Sequence, residues 1–167
     1  MDNPKELFPV CDEEGNVVGK ISRGEAHAGT KVLHPVVHLH VFNSQGELYL
    51  QKRPEWKDIQ PVKWDTACGG HVNYGETVEE ALKREVWEEL GIADYVPRFV
   101  KRYVFEGLRE RELVNVYETV YDGEVCPSDE LDGGRFFSVQ EISDNLESGM
   151  FTPNFVDEYK RLFVDKV

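Results

Sequence analysis

The pattern of hydrophobic and polar positions predicts two β-hairpins in the first third of the chain. Residues 36–42 are rich in apolar and β-branched side chains, residues 47–51 alternate apolar and polar, and the polar residues 43–46 lie between them. This arrangement is typical of a hairpin of central strands. A polar turn also separates two apolar segments in residues 8–23, where we expect an N-terminal hairpin added to the main sheet.

A helical pattern follows a loop and a glycine pair. Its buried stripe recurs at four-residue spacing and comprises Val78, Leu82, Val86 and Leu90. Residues 77–80 have the form of a capping box, and Gly91 is a typical stop residue. We therefore predict a helix from about Thr77 to Leu90.

Further elements are predicted downstream. Apolar and β-branched residues favour strands at 99–105, at 113–121 and near 135–137, and a second capping box at 138–141 opens a short helix. The last helix is amphipathic, with aromatic and aliphatic residues at helical spacing: Phe155, Tyr159, Leu162 and Phe163. The chain is thus predicted to be of the α+β class, with a mixed sheet covered by helices.

Composition and charge narrow the classes of function. The 167 residues fit one domain, and a net charge of −13 argues against a partner that is a nucleic acid polymer or an anionic membrane surface. No apolar segment is long enough to be a signal peptide or a membrane span, so we expect a cytoplasmic protein. Three cysteines without C-x-x-C spacing indicate neither a disulfide framework nor a structural zinc site.

The predicted helix carries a motif of glutamates and glycines. Its fixed positions are Gly70, Glu76, Arg84, Glu85, Val86, Glu88, Glu89, Gly91 and Ile92. At average residue usage the chance of such a match in one register is on the order of 10⁻⁹. An ordinary solvated face with i, i+4 ion pairs is the alternative explanation for the glutamates.

The helical geometry argues against a fully solvated face. Glu89 lies seven residues after Leu82 and so points almost the same way, and Glu85 flanks the same stripe. Carboxylates gathered on a partly shielded edge require cations, and oxygen ligands favour Mg²⁺ or Mn²⁺ over zinc. Divalent cations at such a site activate water for attack on phosphorus. The sequence therefore indicates a site for divalent cations that could activate water for attack on a phosphorus-containing substrate.

This motif resembles the signature of the Nudix hydrolases at every fixed position. The resemblance implies an α/β/α sandwich formed by residues 1–167, with residues 1–30 as an N-terminal extension and residues 70–92 as the Nudix box. It also implies hydrolysis of a nucleoside diphosphate derivative. The implied metal ligands are Glu85, Glu88, Glu89 and the backbone carbonyl near Gly70; Arg84 orients a glutamate, and Glu76 supports the site.

Two further sets of residues are candidates for the site. In several Nudix hydrolases an acid from a later loop acts as base or extra ligand, which makes Glu130 a candidate beside Glu85. The basic residues that follow the second hairpin, Arg53 and Lys57 among them, are candidates for binding terminal phosphates. An ordinary solvated loop is the alternative for both sets. A monomer and a homodimer both remain open.

The stretch from His34 to Ile92 also resembles the branch that includes isopentenyl-diphosphate isomerase, which is the alternative function. His27, His34 and His71 fall where the resemblance implies metal-binding histidines, and Glu110 and Glu112 correspond to two glutamates. However, Gly69 occupies the position of the catalytic cysteine, and Cys68 is displaced by one residue. A binding module without catalysis is a third hypothesis, which the intact glutamates argue against. We therefore expect an isomerase-like Nudix hydrolase.

Overall fold

The computed structural model describes residues 3–57 and 60–164. Residues 1–2, 58–59 and 165–167 of the predicted domain lie outside the described residues. The elements in chain order are β1 (Leu7–Cys11), β2 (Val17–Ser22), α1 (Arg23–Ala26), β3 (Leu33–Phe42), β4 (Leu48–Lys52), β5 (Trp64–Thr66), β6 (Cys68–His71), α2 (Val78–Leu90), β7 (Arg98–Glu106), β8 (Arg111–Val120), β9 (Gly134–Phe137), α3 (Val139–Asn145) and α4 (Pro153–Tyr159).

The predicted α+β class is confirmed, since helices accompany a mixed main sheet and an antiparallel N-terminal hairpin. Among the described residues the main sheet has seven strands, with the order β5-β4-β3-β8-β7, while β6 pairs with β3 and β9 pairs with β4. Nearly every side chain of β3 is buried, as expected for a central strand. None of the helices in the described part of the chain is both long and apolar enough to cross a bilayer.

The predicted N-terminal hairpin is confirmed, but the prediction that it is added to the main sheet is wrong. Strands β1 and β2 pair only with each other and form a separate two-stranded sheet in the described structure. The first four residues of β2 are exposed, whereas Phe8 and Cys11 of β1 are buried. In the described part of the chain the hairpin is therefore held by buried side chains of β1 and by a single backbone hydrogen bond, in which the Tyr74 amide donates to the Leu7 carbonyl at 2.9 Å.

The chain folds into two compact units. One comprises the described residues up to Leu39 together with Gly69–Val86 and Pro97–Glu118. Its core includes Cys11, Leu33 and Leu113. The organisation of residues 1–167 as one domain stays a prediction.

The other unit comprises His40–Cys68, Trp87–Val96 and the described residues from Thr119 onward. Its core is mainly aromatic and aliphatic, and the buried members are Leu48, Leu50, Phe137, Ile142, Phe151, Phe155 and Tyr159. Helix α4 continues into a π-helical turn, Lys160–Val164, which sequence periodicity did not predict. Inside this unit, His40 and Glu158 are both fully buried and form a 2.6 Å hydrogen bond between Nε2 and Oε2.

Helix α2 begins and ends as the sequence predicts. The Glu80 amide donates to Thr77 Oγ1 at 3.1 Å, and the Thr77 amide donates to Glu80 Oε1 at 3.0 Å, so the capping box is formed in both directions. After Leu90, Gly91 adopts a φ of +67°, the left-handed conformation that ends helices.

Removing the Thr77 hydroxyl should destabilise the protein without altering the fold. In Thr77→Ala the Glu80 amide loses its acceptor, and the free energy of unfolding should fall by about 1 kcal/mol. Urea unfolding followed by circular dichroism measures the change. Thr77→Ser keeps the hydroxyl and serves as the matched control; equal losses in the two variants would contradict the capping role.

Candidate active site

Arg84 of α2 organises a cluster of polar groups at the start of the Nudix box. Its Nε and Nη2 atoms donate to the two carboxylate oxygens of Glu76, each at 2.9 Å. Its Nη1 donates to Glu85 Oε1 at 2.7 Å, and Nη2 also donates to the carbonyl oxygen of His71 at 3.0 Å. One guanidinium thus fixes two carboxylates and the end of β6, using the planar fork that suits arginine to this task.

The charges in this cluster reinforce one another. Hydrogen bonds from Arg84 hold the pKa of Glu76 below its usual range, and the amide of Asn73 adds a bond to the same carboxylate. Hydrogen bonding to Glu76 in turn raises the pKa of Arg84, with a further contribution from Glu85. Glu76 is therefore ionised and Arg84 charged at neutral pH, so the geometry persists across the physiological range.

The glycine at position 70 leaves room for the side chain of Glu85. A Cβ atom at position 70 would overlap the carboxyl group of Glu85. The absence of a side chain lets this carboxylate lie directly against the backbone of β6. A carboxylate and a nearby backbone carbonyl are the hard oxygen donors that Mg²⁺ and Mn²⁺ accept.

The other two signature glutamates lie on the last turn of α2. Glu85, Glu88 and Glu89 stand at i, i+3 and i+4, which places them on one side of the helix. Glu88 is exposed, Glu89 is half-buried, and the Oε2 atom of Glu89 is itself buried. These degrees of shielding match the partly shielded edge expected from the hydrophobic stripe.

Glu130 lies in a turn that is attached to the end of α2. The Ser128 amide donates to the Glu89 carbonyl at 2.9 Å, and the Leu131 amide donates to the Ser128 carbonyl at 3.1 Å. The Glu130 side chain is exposed. The loop that carries it is therefore fixed to the turn that bears Glu89, while the carboxylate is accessible to solvent.

The basic candidates already have neighbours of their own. Arg53 Nη1 lies 3.7 Å from Asp65 Oδ2, and Lys57 Nζ lies 5.0 Å from the ring centroid of Trp56. Trp56 is largely exposed, so this pair is open to solvent. A phosphate that approached Arg53 would share the guanidinium with Asp65.

A second cluster combines three histidines with a carboxylate. Each of His27, His34, His71 and Glu112 offers one ligand atom, and these atoms lie within 4.8 Å of one another. Glu112 Oε2 is 3.8 Å from His34 Nε2 and 3.6 Å from His71 Nε2, while the Nε2 atoms of His27 and His71 are 3.3 Å apart. The structure thus brings together all three histidines singled out in the sequence and one of the two glutamates.

The protonation of His34 suits a metal ligand. Its Nδ1 lies 3.1 Å from the carbonyl oxygen of Val32, which can only accept, so Nδ1 carries the proton. Its Nε2 then presents a lone pair, and this buried atom has no hydrogen-bond partner among the described residues. Burial lowers the pKa of His34 and of His27, so both are neutral at pH 7, the state that binds a metal.

The pKa values of the two carboxylates near the histidines are shifted in opposite directions. Burial alone would raise the pKa of Glu112, but its hydrogen bond with His71 and the nearby histidine charges lower it below its usual range. The pKa of Glu110 is raised by burial and by the charge of Glu112. Glu112 is therefore ionised at neutral pH, and Glu110 is a neighbour that does not join the four-residue cluster.

An aromatic side chain that the sequence reasoning missed covers this cluster. Phe8 of the N-terminal hairpin is fully buried and stacks on His71, with ring centroids 4.5 Å apart and planes within 2°. It also stacks on His34 at 5.7 Å. The guanidinium carbon of Arg23 lies 4.9 Å from the Phe8 ring centroid as a cation-π neighbour. The available signal was only that Phe8 begins an apolar segment.

The two residues that bear on the isomerase alternative differ in their surroundings. Cys68 is 1% exposed, and the charge of its thiolate form is one cause of the raised pKa of Tyr95, after burial. The face of Gly69 meets His38, since a Cβ there would lie 3.2 Å from His38 Cδ2. His38 was not among the sequence candidates, although it lies four residues after His34 on the same strand and hence on the same side.

Known proteins are similar to this chain in sequence and in fold. A family model described as the NUDIX domain matches residues 32–158. An uncharacterised Nudix hydrolase of Pseudomonas aeruginosa is 31% identical over 167 residues, which cover 96% of this chain and 94% of that protein. An isopentenyl-diphosphate delta-isomerase of Pectobacterium atrosepticum is 32% identical over 150 residues, covering 86% and 81%.

Solved structures agree with this assignment. The crystal structure of a Deinococcus radiodurans protein matches with a TM-score of 0.80 and 25% identity, over 95% of this chain and 99% of that one. A MutT protein from Methanosarcina mazei Go1 matches with a TM-score of 0.66 and 28% identity, over 80% and 94%. The chain belongs to the Nudix family and is a hydrolase of the type that acts on diphosphate bonds.

Proposed function

We propose that this Nudix hydrolase cleaves the diphosphate linkage of a nucleoside diphosphate derivative or a related small metabolite, with Mg²⁺ or Mn²⁺ as cofactor. The observation that carries the proposal is the position of Glu85, held by Arg84 and packed on the bare backbone of Gly70. A binding module has no need to fix a carboxylate in this way. The arrangement costs desolvation, and bound cations offset that cost.

The donor set fits hard divalent cations. Glu85, Glu88, Glu89 and the backbone near Gly70 would hold them, since all their donors are oxygens. When bound, such cations supply an activated water and neutralise charge on the phosphates. They also compensate for a chain whose own net charge of −13 repels an anionic substrate.

The remaining roles follow from the side chains themselves. Arg84 keeps Glu85 in one orientation, and Glu76 keeps Arg84 in place. Glu85 and the solvent-accessible Glu130 are the two candidates for accepting the proton of the attacking water. Arg53 and Lys57 are candidates for contacts with terminal phosphates. The guanidinium of Arg53 would then interact with both Asp65 and a phosphate.

Replacing Glu89 should remove turnover while leaving the fold unchanged. We expect Glu89→Gln to lower kcat at least about a hundredfold, because an amide is a poor ligand for Mg²⁺. The measurement is product release with Mg²⁺ against a panel of nucleoside di- and triphosphates, nucleotide sugars, dinucleotide coenzymes and isopentenyl diphosphate. Circular dichroism and the melting temperature report on the fold.

Glu79→Gln is the matched control for that experiment. Glu79 lies on the same helix, and its replacement by glutamine removes the same negative charge. Its side chain, however, contacts Tyr117. It should retain nearly full activity. If Glu89→Gln were as active as Glu79→Gln on the substrate that the panel identifies, the assignment of the metal ligands would be wrong.

Isomerisation of isopentenyl diphosphate is the second candidate function. The cluster of His27, His34, His71 and Glu112 favours it, together with the similarity to the Pectobacterium atrosepticum isomerase. The environment of the thiol opposes it. Cys68 is almost inaccessible, and the position on the same side of β6 as His71 is occupied by Gly69, which has no reactive group.

Cys68→Ala separates the two functions. For a hydrolase that uses Glu85 and Glu89, this substitution should change kcat by less than about threefold, because no step needs the thiol. Chromatography of the products from isopentenyl diphosphate should show no isomer with either the wild-type or the variant protein. An isomer made by the wild type and lost in Cys68→Ala would establish the alternative.

The histidine cluster should bind its own metal ion. Three imidazoles and a carboxylate suit a transition metal such as Zn²⁺ or Mn²⁺ better than Mg²⁺. After dialysis against Zn²⁺ and removal of excess metal, we expect His34→Ala to retain about one ion fewer per chain than the wild type by elemental analysis. Glu89→Gln leaves the cluster intact and is the control. Equal zinc content in His34→Ala and the wild type would exclude the cluster as a metal site.

A further inference from the structure

The last strand of the main sheet has an outer edge that no described strand covers. Strand β7 ends the strand order β5-β4-β3-β8-β7, so β8 pairs with one of its edges and no described strand pairs with the other. An unpaired edge presents backbone N–H and C=O groups that can pair with a further strand. With nine residues, Arg98–Glu106, this strand is longer than most. The outer edge of β7 is therefore a candidate interaction surface.

The two halves of β7 differ as edges. The register with β8 shifts between Phe99 and Lys101, which marks a β-bulge at Val100. A bulge and a basic side chain such as Lys101 are common devices that keep an edge from pairing. From Lys101 to Glu106 the register with β8 is regular. The second half of the strand is therefore the half that is suited to pairing.

The hydrogen bonds at the turn after β7 indicate which backbone groups point outward. The Gly107 amide donates to the carbonyl of Glu110, the residue opposite it in the hairpin, at 2.9 Å. Hydrogen-bonded and non-hydrogen-bonded positions alternate along an antiparallel pair. The positions of β7 whose N–H and C=O groups point away from β8 are therefore Glu106, Val104 and Arg102.

We propose that two copies of this chain associate through this edge, as an antiparallel pair of residues 102–106 with its two-fold axis at Val104. A two-fold interface requires a surface that is complementary to itself. In this register Arg102 lies opposite Glu106 of the partner subunit, and the same pair recurs on the other side of the axis. Outward backbone groups meet outward backbone groups, and each charged pair has opposite signs.

Two aromatic residues add an apolar contact on the other face of the paired strands. Successive side chains of a strand point to opposite faces, so Tyr103 and Phe105 lie away from the charged pairs. In the proposed register Tyr103 is opposite Phe105 of the partner subunit, and aromatic cross-strand pairs stabilise sheets. Both side chains are half-buried in the single chain, and the pairing would cover more of their surface.

The charged residues of this edge are accessible to a partner. Arg102 is exposed and has no ion pair among the residues that the structure describes. Glu106 is exposed as well, and its carboxylate oxygens lie 3.0 Å from Lys31 Nζ and 3.8 Å from Arg111 Nε. These are solvent-exposed pairs of small energy, so they do not hinder a further contact with an arginine. Association thus gives Arg102 a carboxylate partner.

Sedimentation velocity measures the association. Pairing of one short strand buries less surface than a standard interface, so we expect a dimer with a Kd on the order of 10 µM. The full chain is measured from about 1 to about 200 µM, and its sedimentation coefficient should rise from that of a monomer to that of a dimer. A chain that stays monomeric over this range overturns the inference. The proposed hydrolysis does not depend on the result.

Charge reversal with mixing tests the register. In Arg102→Glu two carboxylates face each other in each pair, and in Glu106→Lys two cations do. Each variant alone should therefore dimerise at least about tenfold more weakly than the wild type. In an equimolar mixture the altered residues lie opposite each other, and both pairs again have opposite signs. The mixture should recover a dimer of nearly wild-type strength.

Lys101→Glu is the matched control for the charge reversal. It changes the net charge by the same amount as Arg102→Glu, one residue away, and Lys101 is also exposed. In the proposed register it lies opposite Gly107 of the partner subunit, so the dimer should persist. Equal weakening by Lys101→Glu and Arg102→Glu, or a mixture that stays monomeric, would overturn the inference. Melting temperatures show that each variant is folded.

Val104→Pro is a second test that does not involve charge. Proline lacks the N–H group, which at position 104 points away from β8, and it is tolerated at such positions of edge strands. The variant should stay folded and monomeric up to the highest concentration, because the hydrogen bonds at the two-fold axis are lost. A Val104→Pro dimer as strong as that of the wild type would contradict pairing through β7.

Discussion

The bidentate ion pair between Arg84 and Glu76 is the interaction on which the arrangement of the site depends. Arg84 uses its remaining N–H groups for Glu85 and for the carbonyl of His71, so one guanidinium joins the loop before α2, the helix and the end of β6. Both partners of the pair are partly shielded from water, with 28% and 17% of their side chains exposed. The contact is therefore stronger than a typical surface ion pair, and it fixes a carboxylate that repulsion would otherwise move.

His71 takes part in both clusters. Its backbone carbonyl accepts the hydrogen bond from Arg84, and its ring lies among His27, His34 and Glu112. The oxygen-rich donors of the Nudix helix suit hard cations such as Mg²⁺, whereas the nitrogen-rich donors of the histidine cluster suit transition metals such as Zn²⁺. Because a single residue belongs to both, a displacement of β6 would change the geometry of the two sites together.

The sequence predicted those parts that depend on local periodicity and spacing. The ends of α2 follow from Thr77 and Gly91, and the mutual arrangement of Glu85, Glu88 and Glu89 follows from the helical repeat. The sequence patterns did not predict contacts between segments that are distant in the chain. Three such contacts depend on tertiary packing. Phe8 stacks on His71, His40 forms a hydrogen bond with Glu158, and His38 lies beside Gly69. For the same reason the N-terminal hairpin, which forms a sheet of its own, was mistaken for part of the main sheet.

The segment before β3 completes a histidine cluster whose other three members lie on strands of the main sheet. The segment before β3 supplies His27 as well as Phe8, whereas α2 and its glutamates belong to another part of the chain. Loss of this segment would therefore remove one of the four cluster side chains together with the ring that covers the others, while His34, His71 and Glu112 would stay on β3, β6 and β8. The N-terminal segment thus acts as a cover that shields a half-built metal-type cluster from water, and the glutamates of α2 are independent of it.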